Sequence, residues 1–480
     1  MGLGATDVGV LVAYLGGVVV LGLLAGRRQR SVDDFLLGAR SLPWWAVMGS
    51  IVATETSTAS FLSLPGVSFV EGGDLRFGQL ALGYLVGRVA VSALLLPSYF
   101  RGRIVSAYAV LGERFGLGTR RLASAVFLVA RTLGDGLRLF LAALALDAIA
   151  GVGFTVSVLA VAGATTLYTV FGGMRSIVWN DCAQLLVYVL GGALLLGLAI
   201  DGVEGGWSAV VDFGRATGRW RFLDPSFDLS DPNTLWAGLI GGAFLTLGVH
   251  GTDQMLVQRY LSARSLASAS RALVVSAVVV AAQFALFLTL GVALAAFFAS
   301  RGGVDGIASD QAVARFVVDA LPEGYGLVGL LLAAVLAASM STLSSSLNSS
   351  ASSLLEDWIR PARTLADGRA LALTRGLTLG FAGLQVAVAL VARGVSSSVV
   401  AEALAIAGFS AGLLLGLFAL AHLVPDAGGR AATLALAVAV GVLSAVTFTP
   451  GLDLAWTWTP LIGSLTVLGA GRLAVALGRA

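Results

Sequence analysis

The chain has 480 residues, of which 57% are apolar and 12% charged, with a formal net charge of +3. A soluble protein of this length carries far more charge, and apolar runs near twenty residues recur throughout, so the composition indicates an all-α polytopic membrane protein. The single cysteine, Cys182, excludes an internal disulfide framework and a cysteine metal site. The absence of lysine excludes Schiff-base chemistry, and arginines gathered in short loops on one side are a topology signal rather than a nucleic-acid one.

In chain order, about thirteen spanning helices are expected, centred near residues 16, 55, 87, 135, 162, 188, 245, 285, 335, 382, 409, 440 and 467. The first, about Val8 to Leu24, follows "MGLGATD" without the basic leader and cleavage site of a signal peptide, and is expected to be retained. The arginines of "GRRQR", of Arg101 to Arg121, of Arg175, of "QRYLSARSLASASR" and of "RPARTLADGRALALTR" fall in alternate loops. Those loops are therefore expected in the cytoplasm, with the N-terminus outside and the C-terminus inside. Asp201 to Thr234 reads as an external cap, and the whole chain as one membrane transport domain.

The second segment, "LPWWAVMGSIVATETSTASFLSLPGVSF", carries Glu55 near its middle among hydroxyl and β-branched residues. A carboxylate at that depth costs roughly 2.5 kcal/mol or more, which makes it a functional candidate. Hydroxyl residues followed by "LPG" predict a broken helix whose carbonyls face a cavity. The seventh segment, "GGAFLTLGVHGTDQMLVQRY", carries His250, Asp253 and Gln254 in its middle and is expected to break as well. Two interrupted helices five places apart in the order are a mark of inverted-repeat membrane proteins.

"SMSTLSSSLNSSASS", Ser339 to Ser353, places hydroxyls on ten of fifteen residues after an apolar run. Ala338, Ser341, Thr342 and Ser345 share one helical face, where hydroxyls opposite unwound carbonyls supply the oxygen shell a sodium ion prefers. Close helix packing through small residues is the other reading of the same stretch.

Asp181, in "MRSIVWNDCAQLLVY", is either functional or interfacial. Arg131, Asp135 and Arg138 share one face of the fourth segment, and two arginines against one aspartate leave a positive charge free for a solute carboxylate; a structural ion network is the alternative. His250 and Gln254, with Gln79 and Ser60, are further candidates to line a pocket, His250 equally fitting a packing hydrogen bond. Asp253 and Arg259 are expected to orient the seventh helix from its cytoplasmic end. Trp44, Trp45, Trp456 and Trp458 are expected as interfacial anchors.

At these residues the chain resembles the sodium/solute symporter family. "DDFLLGARSLPWWAVMGSIVATETS", "LPGVSF", "LLPSYF" with "SAYAVLGERFG", "GGMRSIVWNDCAQ", "GTDQMLVQRYLSAR" and "SMSTLSSSLNSSASSLLEDW" match family signatures in family order. The resemblance implies the five-plus-five inverted repeat of the leucine-transporter type. It assigns residues 41–201 and 234–424 to the repeats, 1–30 to a preceding helix and 430–480 to two following ones.

The resemblance also implies a sodium site on the Ala53 and Thr56 carbonyls with Ala338, Ser341 and Thr342, and a second on Asp181, Ser341, Ser344 and Ser345. Glu55 stands where proline carriers have aspartate and sugar carriers asparagine, which leaves ion, solute cation and proton as its partners. In the sialic-acid branch an arginine of the fourth segment receives the substrate carboxylate, which Arg131 or Arg138 would match.

The function implied is sodium-coupled import of a small organic solute, most simply a carboxylate, across the plasma membrane; a sugar or an amino acid is the alternative within the family. Sodium is the coupling ion expected, and the solute and the bilayer are the partners, with neither nucleic acid nor an obligatory protein. An ion channel would favour a continuous polar stripe, whereas the polar residues here cluster at one depth. Two histidines and one cysteine offer no nucleophile and base to an intramembrane enzyme.

Overall fold

The computed structural model describes residues 4–27, 29, 31–102, 104–304, 306–321, 325–393, 399–449 and 451–478. Arg28 and Arg30 of the first arginine run lie outside the described residues. Among those described, nine helices are long and apolar enough to cross a membrane, and strand pairing is limited to one isolated bridge, Leu42 to Ala263.

Helix α1 (Ala5–Gly26) lies at the periphery and packs on the later helix of residues 154–201 through glycine. A Cβ on Gly26 would stand 2.5 Å from the Gly172 Cα, so only small residues permit this approach. The short α2 (Val32–Leu37) starts on a Ser31 hydroxyl that accepts from Asp34 N at 3.1 Å. Helices α3 (Trp44–Glu55) and α4 (Thr58–Phe69) are the two halves of the expected broken segment. Thr56 (φ −83°, ψ 99°) and Ser57 (φ −96°, ψ 175°) between them are extended.

Helix α5 (Leu80–Ala90) continues through a π turn, Val91–Leu95, into α6 (Leu96–Phe100), and α7 (Ala109–Phe115) leads into the long α8 (Leu117–Ala150). The segments expected near residues 162 and 188 join in one helical run, α9 (Phe154–Asp201), which turns at Gly173. Gly173 has φ +54°, and a Cβ there would lie 2.6 Å from the Phe35 carbonyl, so glycine is required twice over. The cap contains α10 (Gly206–Ala216).

The second broken segment is α11 (Gly242–Thr252) and α12 (Gln254–Leu261), with Asp253 extended between them and accepting from Met255 N at 2.8 Å to start α12. There follow α13 (Leu266–Ala299), α14 (Ala312–Ala320), α15 (Leu327–Ser353), α16 (Asp367–Ala392), α17 (Val399–Leu423), α18 (Gly429–Phe448) and α19 (Thr459–Ala476).

Helix α15 is the centre of the bundle: 83% of its most apolar 18-residue window is buried, against 11% for α1. The serine-rich stretch therefore faces protein on all sides. Large apolar side chains such as Val12, Leu186, Leu190 and Leu473 remain exposed on the outer helices, as a lipid-facing surface requires.

Candidate ion and solute site

Breaking α3 from α4 frees carbonyls at the end of α3, and α15 meets them with hydroxyls. Ser341 Oγ lies within hydrogen-bond reach of the Ala53 carbonyl at 2.8 Å and its own turn's Ala338 carbonyl at 3.2 Å. Thr342 Oγ1 reaches the Thr54 carbonyl at 3.0 Å and that of Ala338 at 3.5 Å. All five residues concerned are buried.

Thr56 engages differently: its hydroxyl donates to Gln283 Oε1 at 3.0 Å, and Gln283 Nε2 donates to the Tyr188 hydroxyl at 2.8 Å. The carbonyl facing Thr342 is thus that of Thr54. Every converging donor is an oxygen, which suits a hard monovalent cation carried as cargo.

A second oxygen cluster adjoins the first. Ser344 and Ser345 hydroxyls donate to the Ser341 carbonyl at 3.1 and 2.7 Å, and Ser345 Oγ lies 3.4 Å from Thr54 Oγ1. Asp181 Oδ2 accepts from Ser50 Oγ at 2.5 Å and from Arg259 NH2 at 3.1 Å. Arg259, expected to orient α12, is instead fully buried here, where its guanidinium also donates to Thr54, Ser345 and Ser50. Asp181 Oδ1 is buried and has no hydrogen-bond partner among the described residues.

Two adjoining chambers, of about 110 and 200 Å³, lie beside the breaks and share Glu55, Tyr84, Arg138 and Trp456 in their walls. The smaller adds Thr54, Arg131, Thr246 and His250 beside Leu245, Val249, Met255 and Leu256; the larger adds Ser57, Ser60, Ser63 and a wall of apolar side chains. The combined space suits a small solute rather than a drug-sized one.

The electrostatics of this cavity balance. Glu55 pairs with Arg88, a fully buried arginine whose NH1 donates to Ser276 Oγ at 2.5 Å. His250 Nε2 lies 3.6 Å from the Glu55 carboxylate, and its Nδ1 is 2.8 Å from the Tyr260 hydroxyl. Arg131 donates to Asp253 through Nε (3.0 Å) and NH2 (2.6 Å), while Arg138 pairs with Asp135. Three arginines thus face three carboxylates. The expected unpaired positive charge is therefore corrected: Asp253, assigned on sequence only to helix orientation, supplies the missing partner. Arg138 stays available because its one ion pair leaves the side chain 17% exposed in the cavity wall.

Glu55, Ser60, Arg131, Arg138 and His250 are brought to the cavity, but Gln79 and Gln254 are not. Gln79 ties the cap down, donating to the Asn233 carbonyl at 2.7 Å and accepting from Asp224 N at 3.1 Å. Gln254 holds the 104–107 loop, donating to the Val105 carbonyl at 2.9 Å and accepting from Ala107 N at 2.7 Å. Both amides satisfy loop backbone groups rather than a solute. Trp456, expected as an interfacial anchor, lines both chambers. Arg88 escapes the sequence reading, although an arginine inside the apolar run "GYLVGRVAV" is a sufficient signal.

Fold and cavity together define a polytopic helical membrane protein built around two broken helices and a buried polar cavity. The chain belongs to the sodium:solute symporter family, whose model matches residues 35–418. The resemblance carried by the six motifs is borne out.

Among its relatives, the human sodium/iodide cotransporter is 29% identical over 88% of this chain and 66% of its own length. The rabbit sodium-dependent multivitamin transporter is 32% identical over 88% and 67%, and the human sodium-coupled monocarboxylate transporter 1 is 28% identical over 86% and 68%. The chain spans about two thirds of the length of these curated relatives. A solved Na+-coupled sialic acid symporter, substrate-bound and outward-open, superimposes with a TM-score of 0.90 at 25% identity, covering 99% of this chain and 98% of that one. A nucleobase-cation-symport-1 family transporter shares the fold, with a TM-score of 0.59 at 15% identity over 92% and 94%.

Proposed function

We propose that the chain is a secondary active symporter that couples inward sodium movement to import of a small carboxylate across the plasma membrane. One observation carries the ion half: the Ser341 and Thr342 hydroxyls of a buried helix meet the Ala53 and Thr54 carbonyls released where α3 ends. The family to which the chain belongs supports the same assignment.

The sodium site is assigned to Ala53, Thr54, Ala338, Ser341 and Thr342, with Thr56, whose hydroxyl engages Gln283, next in the chain at the break. A second sodium would take the free Oδ1 of Asp181, with Ser344 and Ser345 alongside, and would share that carboxylate with Arg259. The proposed topology has thirteen crossings in a five-plus-five inverted repeat over residues 41–201 and 234–424, with the N-terminus outside and the C-terminus inside.

A cation bound between α3 and α15 cross-links one proposed repeat to the other. It favours the state in which the cavity is assembled, and rocking of the repeats then releases ion and solute together. Each sodium supplies roughly 2.3 kcal/mol per 100 mV of membrane potential.

The solute half rests on Arg138, whose planar donors suit a carboxylate. A zwitterionic solute is the second reading, favoured because Glu55 lines both chambers with Arg138. The test is uptake into proteoliposomes under an inward sodium gradient, with a potassium gradient as control. Saturable, sodium-driven accumulation of carboxylates is expected. Sodium leak without solute accumulation would indicate a channel, and accumulation of amino acids in place of simple carboxylates would favour the zwitterion.

A further inference from the structure

Of the four residues shared by the two chambers, Glu55, Tyr84 and Arg138 come from α3, α5 and α8. Trp456 comes from the single turn Trp456–Trp458 between α18 and α19, outside the segments assigned to the repeats.

That turn is held firmly. Ala455 N donates to the Leu229 carbonyl of the cap at 2.8 Å, and Thr459 Oγ1 donates to the Trp456 carbonyl at 2.7 Å. Gly241 admits the same turn, since a Cβ there would stand 2.7 Å from the Thr457 carbonyl. Trp458, two residues on, packs with Ala237 and Ala455 in a separate apolar cluster and lines neither chamber. One turn therefore carries one anchoring tryptophan and one tryptophan in the cavity wall.

The chambers differ in chemistry. The larger sets Leu64, Val67, Phe77, Leu80, Val280 and Phe284 beside the hydroxyls of Ser57, Ser60 and Ser63, whereas the smaller sets the charged Arg131 and His250 beside an aliphatic wall and has neither phenylalanine. A solute whose anionic end meets Arg138 gains most by burying an apolar body in the larger chamber.

We propose that Trp456 is a specificity-determining residue of the solute site, a rigid aromatic wall at the junction of the chambers that selects carboxylates with a short apolar body. This rests on the symporter function proposed above. A tryptophan at the junction limits the size of body that fits beside Arg138, and truncating it opens the two spaces into one.

The experiment is solute-stimulated uptake of radiolabelled sodium into proteoliposomes holding the full chain, with acetate, butyrate, benzoate and phenylacetate as probes. Trp456→Ala is expected to raise the phenylacetate-to-acetate efficiency ratio by about 10-fold or more, the scale on which pocket contacts discriminate small groups. Trp456→Phe should move the ratio the same way by less, Trp458→Phe should leave it unchanged, and half-saturating sodium should stay constant in all.

An unchanged ratio in Trp456→Ala, with sodium dependence intact, overturns the proposal. If Trp456→Ala yields no folded protein, the ratio in Trp456→Phe decides in the same way. If no carboxylate stimulates the wild type while neutral sugars do, the carboxylate assignment fails. Trp456 is then judged on the ratio of phenyl glucoside to glucose.

Discussion

Arg131 places both its Nε and its NH2 on one oxygen of Asp253, at 3.0 and 2.6 Å, and so fastens the middle of α8 to the break between α11 and α12. The other oxygen of Asp253 accepts from Met255 N and starts α12. A single carboxylate therefore serves as helix cap and as counter-ion. Asp253→Asn keeps an oxygen for the cap but leaves Arg131 buried with only the distant Asp135 as partner, at 3.6 Å. Breaking such a pair costs about 3–5 kcal/mol. A clearly lowered melting temperature is expected, and Arg131→Leu combined with Asp253→Asn should lose less than the sum of the two single changes.

Among the described residues Arg138 is tied to Asp135 alone, and it lines both chambers. Arg138→Ala should raise the KM for a transported carboxylate by about 10-fold or more, the worth of a charge-assisted hydrogen bond, and leave half-saturating sodium nearly constant. Arg138→Lys should recover little, because an ammonium lacks the planar pair of donors. Initial rates of uptake against solute and sodium concentration separate the two effects. Equal KM values in wild type and Arg138→Ala would remove Arg138 from the solute site.

Helices α4 and α13 touch backbone to backbone at Gly291. A Cβ there would stand 1.9 Å from the Pro65 carbonyl and 2.2 Å from Ser68 Oγ, whose hydroxyl donates to the Leu288 carbonyl at 2.6 Å. Gly291→Ala must push the helices apart and is expected to lower the yield of monodisperse protein on size-exclusion chromatography. Gly380→Ala on α16 meets nothing within 4 Å and should behave as wild type.

At the far end of α15, fully buried Asp357 accepts from Ser106 Oγ (2.9 Å), Ser353 Oγ (2.7 Å) and Arg120 Nε (2.7 Å). Together with Gln254 it latches the 104–107 loop to the bundle. Asp357→Asn should speed hydrogen exchange in that loop by about 10-fold or more, the effect of losing roughly 1.4 kcal/mol of local closure. Unaltered exchange would mean that Gln254 suffices for the latch.

The breaks at Thr56 and Asp253 and the oxygen face of α15 are legible in the sequence, because hydroxyls, glycine and charge set inside an apolar run do not fit an unbroken helix facing lipid. The counter-ions are not. Nothing local links Arg88 to Glu55 or Arg259 to Asp181, since each pair joins separate helices and residue spacing reports only neighbours on one helix. The glutamines mislead for the opposite reason. An amide in a broken segment looks the same whether it meets a solute or, as for Gln79 and Gln254, the backbone of a loop. The two segments expected near residues 162 and 188 are legible too, since the run that joins them breaks at Gly173, whose φ of +54° interrupts the helix.

The most direct test of the central claim is equilibrium binding of radiolabelled sodium to the purified chain and to Ser341→Ala, Thr342→Ala and Ser349→Ala. Ser349 Oγ donates to the Ser346 carbonyl within α15 at 3.1 Å, about two turns along the helix from Ser341 and Thr342. Saturable binding by the wild type and by Ser349→Ala is expected, with affinity at least about 10-fold weaker once either the Ser341 or the Thr342 oxygen is removed. Wild-type affinity in Ser341→Ala and Thr342→Ala would contradict a sodium site between the broken helix and α15.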